Sequence, residues 1–142
     1  MKIPEFSLVY KENPLAEEVE ILREGIINEA VKANMNRMTS FALLMKNPAD
    51  VIVAGAMGYS MYGFLYVDML WVDEKFRHKG WGTQLLNAAE NLGRERNCRF
   101  VCLITMSWQA LRFYEKHGYK IEFIREGFDN DTKMYCLRKS LI

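Results

Sequence analysis

Between positions 77 and 83 the chain reads Arg77-His78-Lys79-Gly80-Trp81-Gly82-Thr83. Three basic side chains, two glycines and a hydroxyl suit a polyphosphate. Glycine lets the backbone approach an anion closely, and the first turn of a following helix offers unpaired N–H groups at the positive end of a dipole. The ligand this implies is a diphosphate-bearing cofactor. Two common nucleotide readings fail on residue identity. A Walker loop needs Gly-x-x-x-x-Gly-Lys-Ser/Thr, which the chain lacks. A dinucleotide fingerprint needs a third glycine where Leu85 stands, and the strand expected at Phe100 to Thr105 carries no acidic residue at its end to hold a ribose.

Other reactive side chains are few. Cys98, Cys102 and Cys136 form no Cys-x-x-Cys pair and, with only His78 and His117 as partners, give poor support for a disulfide scheme or a zinc site. They read as ordinary thiols in a reducing cytosol. No cysteine has an activating neighbour in sequence, so a cysteine nucleophile has little support, with Cys102 its one candidate. His117 reads as a helix C-terminal residue, and the imidazole of His78 as facing solvent. Trp71, Trp81 and Trp108 read as packing residues.

The elements that must position these groups follow from periodicity. Phe6 to Tyr10 is expected to open the chain as a short strand. Asn13-Pro14 reads as an N-cap and first helical residue, ahead of a stripe of Leu15, Val19, Leu22, Ile26 and Ala30 at helical spacing. Phe41 to Lys46 and Val51 to Met57 read as strands around the turn Asn47-Pro48-Ala49-Asp50, Gly58 to Gly63 as a loose connection, and Phe64 to Val72 as a strong strand. The glycine turn then leads into a helix bearing Leu85, Ala89 and Leu92. Phe100 to Thr105 is the next strand. Ser107 is expected to cap a helix that contains Leu111 and Tyr114 and stops at Gly118. Tyr119 to Arg125 and Lys133 to Leu141 complete the chain as strands. No linker-like stretch divides it, so one mixed α/β domain over residues 1–142 is expected.

Composition narrows the partners. Nineteen Lys and Arg against eighteen Asp and Glu leave a formal net charge of +1. That argues against a nucleic-acid surface or an anionic membrane, which reward a strong basic field. No run approaches the ~20 apolar residues of a membrane span, and the first residues lack a signal core, so a cytoplasmic protein is expected.

The run Leu70-Trp71-Val72-Asp73-Glu74-Lys75-Phe76-Arg77-His78-Lys79-Gly80-Trp81-Gly82-Thr83-Gln84-Leu85-Leu86 resembles the acetyl-CoA-binding motif of the GNAT superfamily of N-acyltransferases. Gln109-Ala110-Leu111-Arg112-Phe113-Tyr114-Glu115-Lys116-His117-Gly118-Tyr119, a strand and a helix later, resembles the second motif of that family. The resemblance implies an α/β (α+β) fold with a mixed, mostly antiparallel sheet of about six or seven strands flanked by helices. It implies acetyl-CoA as cosubstrate. Main-chain groups of Leu70, Trp71 and Val72 would meet the pantetheine arm, and backbone groups from His78 to Thr83 would wrap the pyrophosphate, with Arg77 opening the loop. Tyr114 would protonate the departing thiol.

Two positions depart from the family pattern. Ser107 stands where many members carry an asparagine that contacts the cofactor. Where some members use a strand glutamate as general base, Tyr66 and Cys102 fall nearby. Asp68, placed by the two-residue strand period on the face of Leu70 and Val72, is the available carboxylate. The expected activity is direct acetyl transfer to the primary amine of a small molecule or peptide through a tetrahedral intermediate. The other readings are a non-catalytic acyl-CoA sensor or scaffold, and, against the charge, a toxin that acetylates charged transfer RNA. Part of the Met57 to Tyr66 cluster would line the acceptor pocket. Acceptor identity stays open, as does homodimerisation through sheet edges.

Overall fold

The computed structural model describes residues 5–142. The chain divides into two compact units, residues 1–35 and 36–142. In the first, helix α1 spans Ala16–Lys32. Its start is set by Glu18 rather than by Asn13: the carboxylate accepts from the Leu15 N–H at 2.8 Å and from Lys11 Nζ at 2.7 Å. Lys11, and then the Leu15 N–H, hold the Glu18 carboxyl below its usual range. Of the expected apolar stripe, Leu22 and Ile26 are exposed, and Ile27 is the buried residue of the helix. Residues 6–10 form no strand. Their apolar, alternating composition fits one, but a strand also needs a ladder partner, which composition does not encode.

The second unit is a six-stranded sheet with helices inserted in its second half. Its elements are β1 (Thr39–Lys46), β2 (Ile52–Met61), β3 (Phe64–Val72), α2 (Trp81–Glu95), β4 (Phe100–Met106), α3 (Leu111–Lys116), β5 (Lys120–Arg125) and β6 (Met134–Ser140). The strand order is β1-β2-β3-β4-β6-β5. All neighbours are antiparallel except β3 and β4, which the crossover through α2 makes parallel. The mixed, mostly antiparallel architecture expected from the sequence is the one found.

Local chemistry explains the turns. After β1, Asn47 Oδ1 accepts from the Ala49 and Val51 N–H groups at 2.9 and 3.0 Å, an Asx turn that closes the first hairpin. The second hairpin turns later than expected. Gly58 to Met61 belong to β2, and the turn is Tyr62-Gly63, both at positive φ (54° and 89°). Two left-handed residues in a two-residue loop match the right-handed twist of the flanking strands.

One face of the sheet carries the core. Leu65 and Val67 of β3, Val101 and Leu103 of β4 and Leu137 of β6 pack with Leu86 and Ala89 of α2 and with Tyr114 and Tyr119. Each fully buried leucine is worth roughly 1.5–3 kcal/mol. The one buried carboxylate of α2 is satisfied: Glu90 accepts from Tyr119 Oη at 3.0 Å and from Lys139 Nζ at 2.8 Å. Ser107 does not cap α3. Its Oγ accepts from the Lys133 N–H at 3.0 Å and ties the β4–α3 loop to the start of β6, while Thr105 Oγ1 takes the Ala110 N–H ahead of the helix.

Candidate active site

β3 and β4 pair only from Phe64–Phe100 to Val67–Leu103. Beyond that point β3 runs on to Val72 and β4 to Met106, and the two separate into a wedge. The cause lies on the other side of β3. Met57 pairs with Met69 but Gly58 with Val67, so Asp68 is the extra residue of a β-bulge. A bulge bends and over-twists its strand, which turns the end of β3 away from β4. Gly58 is required there: a Cβ on it would lie 1.9 Å from the Tyr66 carbonyl oxygen.

The bulge also resets the side-chain alternation. Leu65 and Val67 face the core before it, and Leu70 and Val72 pack toward the core after it, against Leu85, Ala54 and Ala56. Tyr66, Asp68, Met69 and Trp71 therefore belong to the opposite face. Asp68 does not share a face with Leu70 and Val72, because the two-residue period is interrupted at Asp68 itself. Its neighbours on that face are Tyr59 and Tyr66, whose rings lie 5.4 Å apart. Both phenols are pushed up, first by burial and then by the charge of Asp68.

At the open end of the wedge stand the two features singled out in the sequence. From β3 the chain enters a single 3₁₀ turn at Glu74–Phe76, N-capped by Asp73 Oδ1 on the Lys75 N–H. Arg77 then folds back and donates from Nε to the Val72 carbonyl at 2.9 Å, fixing the loop to the strand end. Trp81 stacks on Phe76 at 5.0 Å with 5° between the planes, and Lys79 lies over the same ring. His78 (φ 62°) and Gly80 (φ 84°) take the left-handed conformation that curls the backbone into the start of α2. Gly80 is its N-cap, and a Cβ there would meet nothing within 4 Å. The N–H groups of Trp81, Gly82 and Thr83 have no acceptor within the helix, as geometry dictates for a first turn.

From β4 the chain reaches α3 and Tyr114. The ring is buried, edge-on to Phe113 at 5.2 Å and to Tyr119 at 5.8 Å. Among the described residues the Tyr114 hydroxyl has no hydrogen bond, and no sealed side-chain polar atom lacks one, so this hydroxyl reaches accessible space. Burial raises its pKa.

α3 is locked to the start of α2 by contacts that sequence reasoning missed. A Cβ on Gly82 would come within 3.3 Å of the Phe113 ring, so glycine there admits the close packing of the helices. Thr83 Oγ1 lies 2.9 Å from His117 Nε2, and His117 Nδ1 lies 2.7 Å from the Phe113 carbonyl oxygen. A separation of 34 positions between Thr83 and His117 hides this pairing from any local pattern.

Cys102, opposite Tyr66, has its thiol pushed up to about 11, chiefly by burial. A cavity of about 390 Å³ lined by Thr39, Ser60, Arg96 and Cys98 lies at the far end of the sheet, away from the wedge. Arg96 there bridges Thr39 O, Ser40 O and Ser60 Oγ at 2.9–3.2 Å. Among the described residues no group of three or more His, Cys, Asp or Glu could hold a metal ion, and no helix is long and apolar enough to cross a membrane.

Comparison with known proteins agrees with this architecture. An acetyltransferase of Agrobacterium fabrum (Atu2258) is 35% identical over 77 residues, covering 54% of this chain and 56% of that protein. The chain spans about half the length of the curated relatives it matches. The crystal structure of an acetyltransferase from Bacillus cereus ATCC 14579 superposes with a TM-score of 0.76 and 31% identity, over 93% of this chain and 97% of that one. An aminoglycoside 6′-N-acetyltransferase crystallised with coenzyme A shares the fold at 20% identity, with a TM-score of 0.65 over 72% of this chain and 73% of that one. Residues 7–119 match the Acetyltransferase (GNAT) family, and with the wedge, the glycine loop and Tyr114 in the described arrangement the chain belongs to that family.

Proposed function

We propose that this protein transfers the acetyl group of acetyl-coenzyme A directly to a primary amine of a small molecule or peptide. The observation that carries this reading is the wedge. Backbone groups of Asp68 to Val72 lie along a strand edge that β4 has left, and they need partners that a pantetheine arm can supply. Leu70, Trp71 and Val72 are the positions for that contact. The loop from Arg77 through His78, Lys79, Gly80, Trp81 and Gly82 to Thr83 fits a pyrophosphate, because unpaired N–H groups, a positive helix end and cationic side chains converge there. Ser107, its oxygen already accepting from Lys133, still has a hydroxyl proton to offer the cofactor. The family match runs across both compact units, which supports a single acetyltransferase domain.

In the reaction the amine nitrogen attacks the thioester carbonyl carbon and a tetrahedral intermediate forms. An N–H of the β3 edge steadies its oxyanion. The C–S bond then breaks, and Tyr114 gives its proton to the sulfur. A phenol with a raised pKa is protonated across the physiological range, as this role requires. Asp68, beside Tyr59 and Tyr66 where the wedge begins, takes the proton lost by the amine, directly or through one water. The aromatic face around Tyr59 and Tyr66 forms part of the acceptor wall, apolar with a few polar groups as such sites are.

The test is thiol release from acetyl-coenzyme A across a panel of primary amines, run alongside direct measurement of coenzyme A binding. Turnover with one class of amine supports the proposal. Binding without turnover on any amine would favour an acyl-coenzyme A sensor, and absence of both would remove the reading of the loop.

A further inference from the structure

His117 and Thr83 hold one proton between them, and its position is dictated by a third atom. The Phe113 carbonyl oxygen can only accept, so His117 Nδ1, 2.7 Å away, carries a hydrogen. In the neutral imidazole Nε2 is then an acceptor, and the Thr83 hydroxyl, 2.9 Å away, must donate to it. Thr83 therefore turns only lone pairs toward the loop, the wrong polarity for a phosphate oxygen. When the imidazole gains a second proton, Nε2–H becomes the donor, Thr83 Oγ1 the acceptor, and the hydroxyl hydrogen is released toward the start of α2.

We propose that His117 is a positioning residue that decides whether the Thr83 hydroxyl can donate to a bound pyrophosphate, so that a proton on His117 and the cofactor bind cooperatively. The inference rests on the cofactor reading above. The surroundings of the ring leave the switch to these groups. From α2 it meets the neutral Thr83, and from its own helix the Phe113 ring at 4.6 Å. On β6, Lys139 lies against the adjacent Gly118, but its ammonium is paired with Glu90. Beside it in the chain stand Arg112, Glu115 and Lys116 of its own helix segment and Lys120 at the start of β5, and beside Thr83 the loop's Arg77, His78 and Lys79. Among the described residues no carboxylate lies within ion-pair distance of His117.

The probe is 3′-dephospho-coenzyme A, whose pyrophosphate diester keeps its charge where a phosphate monoester titrates, near pH 6. Its dissociation constant is measured calorimetrically from pH 5.5 to pH 8. The wild type and the conservative Thr83→Ser variant should bind at least about fivefold tighter at the acid end, the lower edge of a typical coupling. Thr83→Val and His117→Gln should bind with little dependence on pH. A flat wild-type profile would overturn the proposal, and so would a wild-type slope retained in Thr83→Val, because the imidazolium charge would then act without the hydroxyl. Failure to bind at every pH would overturn the cofactor reading and this inference with it. One outcome is independent of any ligand: nitrogen NMR of the free protein at pH 8 should find His117 as the Nδ1–H tautomer, and the Nε2–H tautomer would overturn the switch.

Discussion

Tyr114 combines a ring held by aromatic neighbours with a hydroxyl that reaches accessible space. Tyr114→Phe removes the proposed proton donor and keeps the packing, so kcat for acetyl transfer should fall about 100-fold with little change in the KM for acetyl-coenzyme A. Because burial raises the Tyr114 pKa, an alkaline loss of activity caused by this group should lie above pH ~10, the ordinary phenol value. Asp68→Asn tests the proposed base. Its kcat defect should be largest near pH 7 and shrink as the pH approaches the pKa of the acceptor amine, which then arrives already deprotonated. Cys102 is a poor nucleophile at neutral pH, with its pKa near 11. Cys102→Ala should therefore retain kcat within about threefold, and a loss beyond 100-fold would reopen an acetyl-cysteine route. The identities of the loop residues and of Tyr114 were legible in the sequence because motif spacing carries them. The Thr83–His117 pair was not, since tertiary packing alone brings the two together.

At the level of elements, the bulge in β3 governs the site. Gly58→Ala would force a Cβ into the Tyr66 carbonyl, and either the register slips or the strands part. The expected cost is about 3 kcal/mol in a urea unfolding series, with loss of coenzyme A binding even where the fold survives. Glu90→Gln keeps an acceptor for Tyr119 but leaves Lys139 without its counter-charge, at roughly 2 kcal/mol by the same measurement. The sequence placed β3 at its true boundaries because aromatic and branched residues fill it. It misplaced the face of Asp68 because the interruption is specified on β2, where Gly58 read as the start of a loose connection and not as the partner of a bulge. The 6–10 segment failed for a related reason, since pairing is settled by partners.

For the whole molecule, a net charge of +1 means that attraction of a polyanion must come from the local field at Arg77, Lys79 and the α2 N-terminus. Coenzyme A at 100 times its dissociation constant should stabilise the native state by about 2.7 kcal/mol. For a chain of this size that is a rise in Tm of roughly 5–10 °C, readable by thermal denaturation. The family and the mostly antiparallel sheet could be read from two motifs and their order. What holds the two halves of the sheet together could not.

That junction has a mechanical consequence. The strands form two antiparallel triplets, β1-β2-β3 and β4-β6-β5, and the four residue pairs from Phe64–Phe100 to Val67–Leu103, with the Arg99 N–H on the Gly63 carbonyl just before them, form the short seam between them. Hairpin contacts within the first triplet are local and close quickly, whereas the parallel seam must wait for the α2 crossover to close the intervening loop. The seam should therefore be the last part of the sheet to zip during refolding and the first to part under tension. The same short zipper would let the two halves flex about Val67 and Leu103, widening the mouth of the wedge for entry and departure while each triplet keeps its shape.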